Sequence, residues 1–282
     1  MPRALYDYYK ELPRPPTSNY SVFVTHPFDD DYIKLLVDSM EKIAQQEQFS
    51  DLEKIEFATA FVQHLPYALD SVTTPYDEYP RYPFETLVDN EGDCEDTSIL
   101  LASLLYEMGY GVVLVIFPET PDTESHCGIG VLDSEGMFGT YFDYAGGSYF
   151  YVETSGRGWH VGDIPEKYED VEAYLFDMKP TPILTHSWTA TSEEAMVELE
   201  VAVENLGSAT AHDVYLLVGF DAGAGMLWNA QESRPFQLLI NERITVTFSL
   251  EVPLEKHTRL VIHVVDDGYA VDESYSEWFD TQ

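Results

Sequence analysis

Glu91-Gly92-Asp93-Cys94-Glu95-Asp96-Thr97 runs directly into Ser98-Ile-Leu-Leu-Ala-Ser-Leu-Leu-Tyr-Glu-Met108. Ile99, Leu100, Leu101, Ala102, Leu104, Leu105 and Met108 spread over most of a helical surface, and a helix apolar on nearly every side is a buried one. Gly109 and Gly111 mark its end. Gly92 and Asp93 form its start, so Cys94 falls in the first turn. That turn has unpaired N–H groups and about half a positive charge. The expectation is a thiol held below its usual pKa of ~8.5, with free N–H groups able to hold an oxyanion.

Upstream, Asp29-Asp30-Asp31 supplies a helix N-cap followed by Ile33, Leu36, Val37, Met40 and Ile43 at helical spacing. Ser50 with Glu53 is a capping box. It opens a second helix whose apolar face is Ile55, Ala58, Phe61, Val62 and Leu65, ended by Pro66. Residues 73–90, rich in Pro and Tyr, read as a long loop. Residues 1–20, with four prolines, read as an extended segment. Downstream, strands are expected at 112–117, 126–132, 140–145 and 149–153, with a hairpin turn at Ala145-Gly-Gly147. Helices first and consecutive antiparallel strands afterwards describe an α+β domain over 21–180, ending at Pro180-Thr-Pro182.

From residue 183 the texture changes. Val197, Leu199, Val201 and Val203 alternate with Glu198, Glu200, Ala202 and Glu204. Strict alternation means strands with one wet face. Short strands and turns continuing to 282 indicate a β-sandwich over 183–282.

A thiol nucleophile needs a base, and His is the usual one. His126, at the start of a strand, could face the helix tip. A third group should orient the imidazole: Glu153 at the end of its strand is the candidate, with Asp143 as competitor. Cys127 adjoins His126, points to the other face of the strand and reads as a small buried hydrophobe. With two cysteines in all, the chain holds neither a disulfide framework nor a four-thiolate zinc site.

The 282 residues carry 51 Asp+Glu against 14 Lys+Arg, a formal net charge of −37. Such a surface repels phosphate backbones and anionic head groups, so no nucleic acid and no membrane insertion are expected. A composition that is 45% hydrophobic and 14% aromatic fills a core. No secretory leader is visible at Met1-Pro-Arg-Ala. The compartment is therefore open: extracellular or cell-surface if a leader is missing, otherwise cytoplasmic.

Phe61-Val-Gln-His-Leu-Pro-Tyr67 with Asp70, Tyr82-Pro-Phe-Glu-Thr-Leu87 and Gly92-Asp-Cys-Glu-Asp96 together resemble the transglutaminase-like superfamily. Within it they look most like the bacterial and archaeal transglutaminase-like cysteine proteinases. Tyr151-Val-Glu-Thr154 through Gly158-Trp159, Gly162 and Ile164-Pro165 resemble the closing segment of that domain, with Glu153 where the family usually has Asp. The resemblance spans about residues 50–166. It implies a papain-like fold, a Cys94–His126–Glu153 triad, and acyl transfer through a thioester. Hydrolysis of a peptide or isopeptide bond by a cysteine peptidase or amidase is the leading expectation. Transamidation, or a non-catalytic scaffold at a cell surface, is the alternative. By the same resemblance Gln63 is expected to donate to the oxyanion. Asp93, Glu95 and Asp96 are the expected calcium ligands if calcium is used; no cofactor is required. The C-terminal region, with Val203-Glu-Asn-Leu-Gly207, resembles cell-adhesion-type, immunoglobulin-like β-sandwich modules of archaeal surface proteins. A protein or peptide substrate, and a surface-protein partner for the sandwich, follow as expectations.

Overall fold

The structure is a computed structural model describing residues 2–281 apart from Pro15, Pro16, Glu135 and Glu194. The chain divides into two compact units, Met1–Pro180 and Thr181–Gln282.

The first unit contains the helices α1 (Arg3–Glu11), α2 (Ser21–Val24), α3 (Asp30–Glu47), α4 (Asp51–Gln63), α5 (Asp70–Thr73), α6 (Pro83–Asp89) and α7 (Cys94–Glu107). The strands β1 (Val112–Phe117), β2 (His126–Leu132), β3 (Tyr141–Tyr144), β4 (Gly147–Val152) and β5 (Tyr174–Asp177) follow. They form one antiparallel sheet in the order β3-β4-β2-β1-β5. The order departs from a consecutive meander because β4, not β3, lies beside β2. α7 packs across β1 and β2 and against α3, α4 and α6. Its Ile99, Leu100, Leu101, Ala102, Leu104 and Leu105 are fully buried, as an all-round apolar helix requires.

Two expectations are corrected. The N-terminal 1–20 stretch is not simply extended, since α1 occupies Arg3–Glu11. Its prolines flank the helix, and Leu5, Tyr8, Tyr9 and Leu12 recur at helical spacing to reach the core, where Tyr9 is fully buried and stacked on Tyr82. The 73–90 loop is likewise interrupted by α6. Pro83 stands in its first turn and the Glu85 carboxylate accepts the Tyr82 N–H at 2.9 Å, a start signal that ring-rich surroundings obscured. The Ser50–Glu53 capping box forms as read. Asp29 holds the N-cap position of α3, but its carboxylate turns inward to the Tyr9 hydroxyl and the Phe84 N–H.

The second unit is all β. Its strands are β6 (Leu184–Glu193), β7 (Met196–Asn205), β8 (Ala211–Gly223), β9 (Met226–Glu232), β10 (Phe236–Leu238), β11 (Arg243–Glu251), β12 (His257–Thr258), β13 (Leu260–Asp266), β14 (Tyr269–Tyr275) and β15 (Phe279–Asp280). One sheet runs β11-β7-β6 and another β10-β8-β13-β14, with β9 also on β8; β12 and β15 pair separately. The alternation read from the sequence is the architecture. Val197, Leu199, Val201 and Val203 are buried with Leu216, Val218, Ile262 and Val264, while Glu198 and Glu200 are exposed. Buried Asn205 staples the turn after β7: it accepts the Gly207 N–H at 3.0 Å and donates to the Ala209 and Leu238 carbonyls. Among the described residues, no helix is long and apolar enough to cross a membrane.

Candidate active site

The segment entering α7 is pinned before Cys94 is reached. Tyr67 bridges to Gly92, and the Ala68 N–H donates to the Gly92 carbonyl at 3.0 Å. A Cβ on Gly92 would lie 2.6 Å from that of Asp96, so the approach demands glycine. Cys94 is the first residue of α7 and partly exposed. Among the groups acting on its thiol, the Cys127 N–H is the one that pulls its pKa down. Cys127 adjoins His126 on β2.

His126 and Glu153 meet directly, with Nε2 and Oε2 2.9 Å apart. Four further donors converge on the same carboxylate: the Tyr151 hydroxyl at 2.9 Å, the Thr154 and Ser155 N–H groups at 3.0 and 2.9 Å, and the Ser155 hydroxyl at 2.6 Å. Burial alone would raise the Glu153 carboxyl. The His126 and Ser155 hydrogen bonds outweigh it and hold the group at about 2. The imidazole lies flat on Tyr168, ring centroids 4.8 Å apart and planes 4° from parallel. Asp143 does not compete. It sits on β3, two strands from β2, and accepts from Ser148.

A hydroxyl chain ties the two halves of the site together. Thr154 Oγ1 lies 2.9 Å from both Thr97 Oγ1 and Ser98 Oγ. Ser98 donates to the Cys127 carbonyl at 3.1 Å, and Thr97 to the Asp93 carbonyl at 2.7 Å. The first turn of α7 is thus bolted to the strand of His126 and to the residue after Glu153. Small hydroxyl residues carry no signal in sequence that would reveal this partnership.

Three expectations are revised by the geometry. The Cys94 thiol is not depressed. Burial pushes it up, and Glu95 and Asp93 push it further, against the weaker pull of the Cys127 N–H. The helix tip cannot offset carboxylates placed within its own first turn. The thiol donates to Glu95 Oε2 at 3.2 Å rather than to His126. Gln63 is not aimed at an oxyanion: its amide donates to the Glu153 and Trp159 carbonyls at 2.8 and 3.1 Å and accepts the Gly158 N–H at 3.1 Å. It braces the loop that follows Glu153.

The third revision concerns the acids. The three carboxylates that group as cation ligands are Asp70, Asp93 and Asp96, with one oxygen from each within 4.8 Å of the others; Glu95, expected in their place, is outside this group. Arg81, 1% exposed, pairs with Asp70 at 3.1 Å and more closely with Asp96. Asp93 Oδ1 is buried without a hydrogen-bond donor, and Asp70 Oδ1 is met by the Arg81 ion pair alone. Burial raises all three, Asp70 and Asp93 to about 6 and Asp96 to about 7; for Asp96 the nearby Arg81 opposes that rise. A single guanidinium among these carboxylates leaves an excess of buried negative charge, and oxygen ligands so placed suit a hard cation such as calcium.

No family model and no curated protein matches the chain. Solved structures do. The CARDB domain of a Pyrococcus furiosus protein is 20% identical over 34% of this chain and 94% of its own, with a TM-score of 0.27. Calcium-bound LapG of Legionella pneumophila is 16% identical over 50% of this chain and 83% of its own, with a TM-score of 0.33. A Cytophaga hutchinsonii structure bearing a provisional cysteine-protease designation is 10% identical over 94% of this chain and 64% of its own, with a TM-score of 0.32. At such low scores the chemistry has to come from the site itself.

Proposed function

We propose that the first unit is a papain-like cysteine hydrolase that cleaves peptide or isopeptide bonds through a thioester. The observation that carries this reading is the His126–Glu153 pair, braced by four further donors and tied to the first turn of α7, where Cys94 stands, through the hydroxyls of Thr154, Thr97 and Ser98. With Nε2 donating to Glu153, Nδ1 is the basic nitrogen. It takes the thiol proton as sulfur attacks the carbonyl carbon. The same proton then goes to the leaving amine, and water, deprotonated in turn by His126, releases the acid. The Cys94 and neighbouring N–H groups of the α7 tip are the oxyanion donors in place of Gln63.

Asp70, Asp93 and Asp96 are the residues that would hold calcium. A cation there would neutralise Asp93, one of the two carboxylates that add to burial in keeping the thiol protonated. The thiol-to-Glu95 hydrogen bond favours a second reading, a resting or scaffold form in which the sulfur is not engaged by the base. Transamidation shares the first step and differs only in the acceptor.

The test is covalent labelling by iodoacetamide at neutral pH, with and without calcium, followed by turnover on peptide substrates. Cys94→Ala should abolish both, because Cys127 is buried. Glu153→Gln should leave labelling sites intact and lower turnover by about 10³–10⁴-fold, as loss of the orienting acid does in such triads. Labelling that survives in Cys94→Ala, or Glu153→Gln turning over at the wild-type rate, would sink the proposal.

A further inference from the structure

We propose that the free edge of β6 receives an extended, cationic segment of a partner protein as an added strand. Among the described residues, β6 pairs only with β7. In an antiparallel strand, successive N–H groups point alternately toward and away from the neighbour. The His186 N–H donates to the Asp272 carboxylate of β14 at 2.9 Å, so it points away from β7. Residues 188, 190 and 192 share its parity. The lower half of this edge is closed by the His186 ring, held by Asp272 and Ser274 at 2.6 Å each. Among the described residues, nothing pairs with the outward N–H and C=O groups of Trp188, Ala190 and Ser192.

Those three residues line a cleft of about 720 Å³ whose other wall is residues 276–281. On that wall the Thr281 N–H bonds to the Lys256 carbonyl, so the backbone of Asp280, one residue out of step, faces away from β12. Both walls therefore offer open backbone polar groups. Exposed edges are normally blunted by Lys, Pro or a bulge. β6 carries no Lys, Arg, Asp, Glu or Pro from Leu184 to Ser192, and its register with β7 is unbroken.

Charge chooses the occupant. The lining includes Glu277 and Asp280 and no Lys or Arg, within a 181–282 segment holding 17 acidic and 4 basic residues. Trp188 offers a face for a cationic side chain and its aliphatic stem. Pairing of β6 with β6 of a second copy would bring together two chains of charge −37, which repel. An extended segment with Lys or Arg at alternate positions satisfies backbone and charge together.

The probe is a fluorescent dodecapeptide of alternating valine and lysine, with a valine/glutamate twin, titrated into the intact chain by anisotropy at low and physiological salt. The lysine peptide should bind, weaken with salt, and outcompete the twin. Ala190→Pro removes one outward N–H without touching the β7 ladder and should weaken binding about tenfold or more. Glu277→Lys with Asp280→Lys should also weaken it, and carries the decision alone if Ala190→Pro fails to fold. Equal binding of the two peptides, or undiminished binding by the folded variants, overturns the proposal. So does a dimer in sedimentation that Ala190→Pro dissolves. Cys94→Ala should bind as the wild type does, which separates this surface from the catalytic reading.

Discussion

The two units handle charge in opposite ways. In the second, the alternation of β7 sends Glu198 and Glu200 to water and Val197, Leu199 and Val201 to the core, and its ion pair Arg259–Asp221 stays partly exposed. In the first, Asp70, Asp93, Glu95, Asp96 and Glu153 are all buried around one helix tip, with Arg81 as the guanidinium beside them. Burying carboxylates is costly unless they are paired or hydrogen-bonded. Glu153 meets that condition five times over; Asp93 leaves one oxygen without a donor. A fold retains such a cost where the charges act on something, and here they surround Cys94. The sandwich has no comparable burden, and its open chemistry lies at a strand edge instead.

The largest expected break in this contrast is Arg81→Met. Removing the guanidinium leaves Asp70 and Asp96 facing each other in a buried site, and losing one partner of a buried pair costs about 3–5 kcal/mol. Hydrogen exchange on the intact chain, read separately for each unit, should show lost protection across α5, α6 and the start of α7 and none in β7 or β8. Added calcium should restore a large part of it. Unchanged protection in the first unit would mean that the acids are already neutral.

How much of this was legible beforehand depends on how local the cause is. The Ser50–Glu53 box, the apolar all-round α7 and the alternating β7 are written within a few residues of themselves. α6 was missed although Pro83 and Glu85 announce it, because the tyrosines and prolines around it read as loop. In α1 the four prolines of residues 1–20 mask the helical spacing of Leu5, Tyr8, Tyr9 and Leu12. At the site, the helix tip argued for a depressed thiol. The burial that reverses this, and the approach of Asp70 from another helix, are properties of the packed chain that no window of sequence contains. Gln63 was singled out at the right place for the wrong job: its neighbours Gly158 and Trp159 lie about a hundred residues away in sequence.

A smaller effect separates the units by pH. Asp29 and Asp96 are raised to about 7, and Asp70 and Asp93 to about 6, each chiefly by burial. A carboxyl raised on folding binds its proton more tightly in the native state, so stability falls as pH rises from the ordinary carboxylate range through the folded value. The first unit should therefore gain stability as pH drops from about 8 to about 5, by on the order of 2 kcal/mol once water entry relieves part of the shifts. Glu153 works in the other direction. Its pKa is depressed, so the stability it adds is present above the ordinary range and is lost as pH falls toward about 2. The first unit should be most stable near pH 5 and the second nearly indifferent above it. Calorimetry across pH checks this, and a first unit steadily weakening from pH 8 to 5 contradicts it.

The smallest effect is the control that gives the others meaning. Arg259 bonds Asp221 at 3.0 Å and lies over the Tyr275 and Trp278 rings, 3.9 and 4.7 Å from their centroids. Like Arg81 it pairs with a carboxylate, yet its side chain is 27% exposed and that of Asp221 16%. Water already solvates both charges, so Arg259→Met should cost within about 1 kcal/mol, and the methionine keeps most of the ring contact. Chemical denaturation of the intact chain, monitored by tryptophan fluorescence, reads this directly. If Arg259→Met destabilised its unit as strongly as Arg81→Met destabilises the other, burial would not be what separates the two arginines, and the case for a charge-stressed site around Cys94 would lose its physical basis.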